Sequence, residues 1–121
     1  MSNIDNFRDL KAWQHNHQIV IKIYQLTKKF PDEERFGLCS QVRRSASSIT
    51  ANISEGFGRY YYKDKIRFYY FARASSVETQ NHLLLAADLG YLSKEIVENL
   101  FVQLGEGQKM INGLINSLNS R

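Results

Sequence analysis

The sequence is poor in the residues that staple or break a fold: it has one cysteine and one proline in 121 residues. Because Cys39 has no partner for an intramolecular disulfide, we expect a cytoplasmic protein held together by its core. The longest apolar run, residues 83–87, is far shorter than the roughly 20 residues that cross a bilayer. No membrane-spanning segment is therefore expected, and the scarcity of proline leaves room for long helices.

Side chains at metal-binding or catalytic spacing are also lacking. Glu78 and His82 are four residues apart, whereas a di-iron bundle needs a glutamate and a histidine three apart on two helices. His15 and His17 point to different sides of a helix, so we expect a solvated His15 and a half-buried His17. Cys39 has no histidine at a motif spacing. The sequence predicts no metal, no cofactor and no catalytic residue, and a non-enzymatic protein.

Four segments repeat apolar or small residues every three or four positions, as amphipathic helices do. Pro31 ends the first, Gly56 and Gly58 end the second, Gly90 ends the third, and Ser93 caps the start of the fourth. The predicted helices are about 10–29, 38–55, 63–89 and 93–118. The predicted buried faces are Leu10, Trp13, His17, Val20, Tyr24 and Thr27; Leu38, Val42, Ser45, Ile49, Ile53 and Gly56; Phe68, Phe71, Ala72, Ser75, Thr79, Leu83 and Ala86; and Ile96, Leu100, Leu104, Gly107, Ile111, Leu114 and Leu118.

The links between these helices are short, and residues 32–34 after Pro31 suit a single acidic turn. Short links make consecutive helices antiparallel neighbours. No segment alternates with the period of two that a strand requires. The sequence therefore predicts one all-α domain over residues 1–121, an antiparallel up-down-up-down four-helix bundle.

The formal net charge is +4, and cations alternate with aromatic rings between Arg59 and Tyr70. Cations neutralise phosphates and tyrosine rings stack on unpaired bases, so this mixture favours nucleic acid, RNA above all. The alternative is that the tyrosines pack between helices or between subunits, as in a protein interaction scaffold. The candidate nucleic-acid-binding residues are Arg43, Arg44, Arg59, Lys63, Lys65, Arg67, Tyr61 and Tyr62.

Three polar residues, Asn52, Glu55 and Glu78, lie close to the predicted apolar stripes. A carboxylate buried without a partner costs several kcal/mol, so these residues predict a structural network of hydrogen bonds and ion pairs. The candidate partners are Arg43, Arg44 and Arg67. A catalytic pair formed by Glu55 and Glu78 is the alternative, and it requires a deep polar pocket.

The chain resembles the small four-helix-bundle proteins encoded by intervening sequences within bacterial 23S ribosomal RNA genes. The resemblance covers about residues 7–118 and is strongest at 40–45 (SQVRRS) and 48–56 (SITANISEG), followed by Gly58 and Arg59. It continues at 7–10 (FRDL), 26–31 (LTKKFP), 34–38 (ERFGL) and 89–92 (LGYL). This chain has Thr50 where the family often has proline, and Tyr60, Tyr61 and Tyr62 where the family often has a serine- and lysine-containing turn.

The resemblance implies a homopentamer of antiparallel bundles. Such an assembly is similar to the accessory protein of diversity-generating retroelements, which is thought to bind nucleic acid and a reverse transcriptase. By that likeness we expect a self-associating protein with RNA or DNA as a partner, and a reverse transcriptase-like or other protein as a further partner. The arginines of the second helix and the basic turn are then the positions for RNA contact, and no catalytic residue is carried over.

Overall fold

The structure, a computed structural model, describes residues 4–120. It contains four long helices: α1 Lys11–Thr27, α2 Leu38–Gly58, α3 Tyr62–Asp88 and α4 Lys94–Asn119. Single 3-10 turns, Phe7–Asp9 and Asp32–Glu34, precede α1 and α2. No strand occurs between residues 4 and 120, which confirms the all-α prediction. The domain was predicted over residues 1–121, of which 1–3 and 121 lie outside the described part.

The predicted boundaries of α3 and α4 are each within one residue of those observed. Ser93 caps α4 as predicted, since its hydroxyl accepts the backbone N–H of Ile96 at 3.1 Å. Gly90 ends α3 with a φ of +80°, a conformation that favours glycine. The predicted α1 was three residues too long, because α1 begins after Leu10 and ends at Thr27.

The prediction that Gly56 ends α2 is wrong. The helix continues to Gly58, and Gly56 is buried inside it. A Cβ at Gly56 would lie 2.6 Å from Cε1 of Tyr69, so the missing side chain serves close packing of α3 on α2. Lys65 helps to finish α2, since its ammonium group donates to the carbonyl of Phe57 at 2.6 Å.

Consecutive helices are antiparallel, as the order of the residue pairs in contact between them shows. Residue numbers rise on one helix as they fall on its neighbour; the pairs are Ser45 with Thr79 and Ser48 with Ser75 between α2 and α3, and Gln80 with Phe101, Ser76 with Gln108 and Arg73 with Asn112 between α3 and α4. Arg43 joins α2 to the end of α1, and His15 joins α1 to α4. These contacts close a four-helix bundle with an up-down-up-down order.

The core is aliphatic, and it includes Ile23, Ile49, Ile53, Leu83, Leu100, Leu104 and Ile111. The predicted face of α2 is confirmed at all six positions. The predicted faces of α1 and α3 were wrong in part. Tyr24 is 39% exposed and Phe71 is 48% exposed, whereas Asn16 and Tyr69 are buried in their place. Ile96, predicted to be buried in α4, is also exposed, and Val97 is buried.

Candidate nucleic-acid interface

The turn between α2 and α3 and the first residues of α3 are here called the basic turn (residues 59–67). Arg59 and Tyr61 adopt extended conformations that break the helix on either side of the link. The contact of Tyr69 with Gly56 and the hydrogen bond from Lys65 to Phe57 then hold the two helix ends together. The side chains of the basic turn therefore project from an end of the bundle at which α2 and α3 contact each other closely.

Two tyrosines stand out of this turn into solvent. Tyr60 is 85% exposed and Tyr61 is 66% exposed. Their ring centroids are 4.9 Å apart with the planes at 81°, an edge-to-face pair. Packing between helices, the alternative considered for these rings, is therefore wrong for Tyr60 and Tyr61 within one protomer. Tyr62 is less exposed, at 45%.

The four cations of the basic turn differ in what they already bind. Arg59 pairs with Glu55 at 3.3 Å and lies over the Phe68 ring at 4.5 Å. Lys65 is half-buried and occupied by the Phe57 carbonyl, and its burial lowers the pKa of its ammonium group.

The other two cations of the turn are exposed. The side chain of Lys63 has no hydrogen bond or ion pair with any residue from 4 to 120. The guanidinium of Arg67 lies 5.5 Å from the Phe68 ring centroid and has no ion-pair partner within the same range. Lys63 and Arg67 are therefore the cations of the turn whose side chains can approach a phosphate without breaking a hydrogen bond or an ion pair within residues 4–120, although Arg67 also lies near the Phe68 ring.

The two arginines of α2 lie away from this turn. The side chain of Arg43 donates to the Thr27 hydroxyl at 2.8 Å and to the Tyr24 carbonyl at 3.2 Å, and its guanidinium lies over the Tyr24 ring. Arg44 is about 22 Å from Arg59 along the helix axis. It pairs with Glu78 and also donates to Gln41 at 3.1 Å. Both arginines thus fasten α2 to neighbouring helices.

The three residues of the predicted polar network form separate contacts. Asn52 bonds within α2, to the carbonyl and the hydroxyl of Ser48. Glu55 is exposed and pairs with Arg59 at the turn. Glu78 binds His82 at 3.0 Å and also Arg44, the partner proposed from the sequence. The three side chains therefore do not converge on one site.

Partial burial raises the pKa of Glu78, but the hydrogen bonds and charges of His82 and Arg44 outweigh it and lower the pKa overall. Glu78 is thus held ionised across the groove between α2 and α3. Among residues 4–120, no three His, Cys, Asp or Glu side chains are placed to hold a metal ion together.

Of the two expectations for the histidines of α1, that for His17 is confirmed and that for His15 is wrong. His17 is half-buried and stacks on Trp13 with ring centroids 4.3 Å apart, as expected for a rim residue. His15 is not solvated as predicted. It is half-buried, and its Nε2 lies 2.9 Å from the Gln103 carbonyl, which joins α1 to α4.

A second surface, which the sequence reasoning missed, runs along the outside of α3. We call it the outer face of α3; its residues are Tyr70, Phe71, Val77, Leu84, Leu85 and Leu89, each between 42% and 52% exposed. Phe71 was predicted to be core. The available signal was that α3 carries apolar residues on both of its sides, which is typical of a helix buried on two sides.

No helix in the described chain is both long and apolar enough to span a bilayer.

Comparison with known proteins gives a consistent result. The family model of 23S rRNA-intervening sequence proteins matches residues 8–113. A crystal structure of a protein of unknown function from the S23 ribosomal protein family of Bacteroides thetaiotaomicron superimposes with a TM-score of 0.79 and 25% sequence identity. That likeness covers 86% of this chain and 97% of the other. A search of curated proteins gave no match.

Proposed function

The chain belongs to the family of 23S rRNA-intervening sequence proteins, and from this membership we propose that it is a non-enzymatic, oligomeric accessory protein that binds nucleic acid, RNA in preference to DNA. The observation that carries the proposal is the pair of exposed cations, Lys63 and Arg67, beside exposed aromatic rings at one end of the bundle. A cytoplasmic location belongs to the same proposal.

The charge of the basic turn supports a polyanion as its ligand. Residues 59–67 contain four cations and one acidic residue; the cations are Arg59, Lys63, Lys65 and Arg67, and the acidic residue is Asp64. Arg43 and Arg44 have a secondary place in the proposal, because their guanidinium groups already bind partners in the protein and a strand reaches them only by following α2 away from the turn.

Self-association is the second part of the proposal, and the outer face of α3 supports it. Its six apolar residues are each 42–52% exposed, and exposed apolar side chains grouped on one face are typical of interaction surfaces. An interface of standard size buries about 800 Å² on each partner, so this face can supply the centre of one. We propose a homopentamer, in which several copies of the basic turn raise the avidity for a long strand.

The outer face of α3 also supports a second candidate function. A protein interaction scaffold would use the same apolar face to bind a different protein, such as a reverse transcriptase-like partner, and would bind no nucleic acid. Salt separates the two functions, because binding to phosphates weakens steeply as salt rises.

The test of nucleic-acid binding uses a labelled single-stranded RNA short enough to touch one basic turn, titrated across a salt series. Each phosphate contact on a single strand contributes about −0.7 to the slope of log K against log salt. Two available cations predict a slope of about −1.4, whereas four would give about −2.8. Lys63→Gln is expected to reduce the slope by about 0.7. Lys94→Gln is the matched control, with an unchanged slope, because Lys94 is an exposed lysine at the opposite end of the bundle.

Structured RNA, single-stranded DNA and duplex DNA are titrated beside it, together with an Arg43→Gln, Arg44→Gln double variant. Salt-sensitive binding that Lys63→Gln and Arg67→Gln weaken supports the proposal. An absence of binding to every strand at low salt rejects it in favour of the scaffold.

A further inference from the structure

Resting on the proposed function, we infer that Tyr60 and Tyr61 form a stacking site for the bases of an unpaired strand, so that the basic turn distinguishes single strands from duplexes. The ligand is a nucleobase that is free of its pairing partner, whether the strand is RNA or DNA. The Ser- and Lys-containing turn implied for the family offers no such rings, so the site is a property of this chain's own residues.

The first support is the exposure of the rings. Tyr60 and Tyr61 leave 85% and 66% of their surface in solvent, although tyrosine is a residue that proteins bury at least in part. The two rings contact each other edge to face at 4.9 Å, so each keeps a ring face open. An open aromatic face in solvent can accept a base by stacking.

The second support is the position of the available cations. Lys63 lies in the first turn of α3, two residues beyond the extended Tyr61, and Arg67 is one turn beyond Lys63 on the same side of α3. A strand whose bases meet the tyrosines therefore passes two exposed cations whose side chains have no hydrogen-bond or ion-pair partner between residues 4 and 120. Alternating ring and cation contacts are the arrangement by which proteins bind single strands without reading their sequence.

The third support is that charge alone gives the turn little affinity. Arg59 is held by Glu55 and the Phe68 ring, and Lys65 by the Phe57 carbonyl. Two remaining cations neutralise few phosphates, whereas each stacked base contributes about 1–3 kcal/mol. Stacking therefore decides which strand is bound. A duplex hides its base faces, so it can use only the cations.

The experiment measures binding by fluorescence anisotropy for four ligands of one length: single-stranded RNA, single-stranded DNA, an abasic strand and a duplex. A Tyr60→Ala, Tyr61→Ala double variant removes the rings, and a Tyr60→Phe, Tyr61→Phe double variant keeps them without hydroxyl groups. Phe36→Ala is the matched control, because Phe36 is 89% exposed and lies at the opposite end of the bundle. A 2-aminopurine in the strand reports stacking through the change in its fluorescence.

The alanine double variant is expected to bind both single strands at least tenfold more weakly, with the 2-aminopurine signal lost. The phenylalanine double variant and Phe36→Ala should bind as the wild type does. The abasic strand and the duplex should bind weakly to all variants alike.

Single-strand binding that survives loss of both rings but weakens in Lys63→Gln overturns the stacking site and leaves the proposed function standing. Equal affinity of the wild type for duplex and single strand overturns it as well. If no ligand binds at low salt, the proposed function fails, and the stacking site fails with it.

Discussion

At the scale of single residues, the carboxylate of Glu34 joins three parts of the chain. One oxygen accepts the backbone N–H of Leu38 at 3.0 Å, which caps α2 from the preceding turn. The other accepts the hydroxyl of Tyr91 at 2.8 Å, from the link between α3 and α4. The N-cap residue of α2 is Gly37, which has no side chain to perform this role. The hydrogen bond from Leu38, followed by that from Tyr91, lowers the pKa of Glu34.

Replacing Glu34 by glutamine is expected to make the stability of the protein less dependent on pH. A lowered carboxyl pKa in the folded state stabilises the fold above the ordinary value near 4.5, and the contribution is lost as the pH falls below that value toward the lowered pKa. Urea denaturation from about pH 7 to about pH 3 measures this. The wild type should be more stable than Glu34→Gln at neutral pH, and the difference should shrink in acid.

Two further variants isolate the cause of this pH dependence. Tyr91→Phe removes one of the two hydrogen bonds, so it should give part of the effect of Glu34→Gln. Glu33→Gln removes a charge from the same turn without touching the Leu38 amide, and it should change stability by less than about 0.5 kcal/mol. A constant difference between wild type and Glu34→Gln at every pH would contradict the assignment.

At the scale of elements, α1 and α4 meet where a buried asparagine lies against a glycine. Asn16 is fully buried, and its amide nitrogen donates to the Ala12 carbonyl at 2.8 Å. Its side-chain oxygen has no hydrogen-bond partner among the described residues. The oxygen lies beside Gly107, where a side chain would overlap it. The absence of a side chain at Gly107 therefore sets how closely α4 approaches α1.

Gly107→Ala is expected to destabilise the protein by about 1–3 kcal/mol, because Asn16 is held by Ala12 and cannot turn away without losing a buried hydrogen bond. Gly105→Ala is the matched control two residues away. A Cβ there meets no atom within 4 Å, so alanine should stabilise the helix by roughly 0.5–1 kcal/mol. Thermal and urea denaturation measure both changes. Equal effects in the two variants would show that helix propensity, rather than the contact with Asn16, decides the outcome.

The elements also show why some of the structure followed from the sequence and some did not. The face of α2 was predictable because Val42, Ile49 and Ile53 form its only apolar stripe. In α3, apolar residues occur on both sides, so spacing could not separate the buried Tyr69 from the exposed Phe71. Gly56 has the sequence signature of a helix end, and only the nearby Tyr69 ring shows that it serves packing.

Some features of the candidate interface could likewise be predicted from the sequence, and others could not. The position of the basic turn was predictable from its break in helical spacing and its run of cations and aromatics. Which cations are available was not, because the use of Lys65 depends on where the Phe57 carbonyl lies in space. The contacts of Arg43 with Tyr24 and Thr27 are likewise set by the crossing of α1 and α2, which a one-dimensional pattern does not contain.

At the scale of the whole molecule, the basic turn and the outer face of α3 have different consequences for assembly. The turn lies at one end of the bundle, whereas the outer face extends along the length of α3 from Tyr70 to Leu89. If protomers pack side by side in the same direction through this face, their turns lie uncovered at one end of the assembly. Oligomerisation would then gather the phosphate-binding groups of several protomers, which raises avidity without any new contact to the strand.

Val77→Asp is expected to dissociate the proposed oligomer, because it places an unpaired charge at the centre of the apolar face. Val77 is 52% exposed in the protomer, so the substitution should leave the folding of the bundle intact, as helical circular dichroism can verify. Val102→Asp is the matched control, since Val102 is 56% exposed on α4. Analytical ultracentrifugation should show an association weakened by at least about a hundredfold for Val77→Asp and unchanged for Val102→Asp. A monomeric wild type would reject self-association itself, whereas an oligomeric Val77→Asp would move the interface away from the outer face of α3.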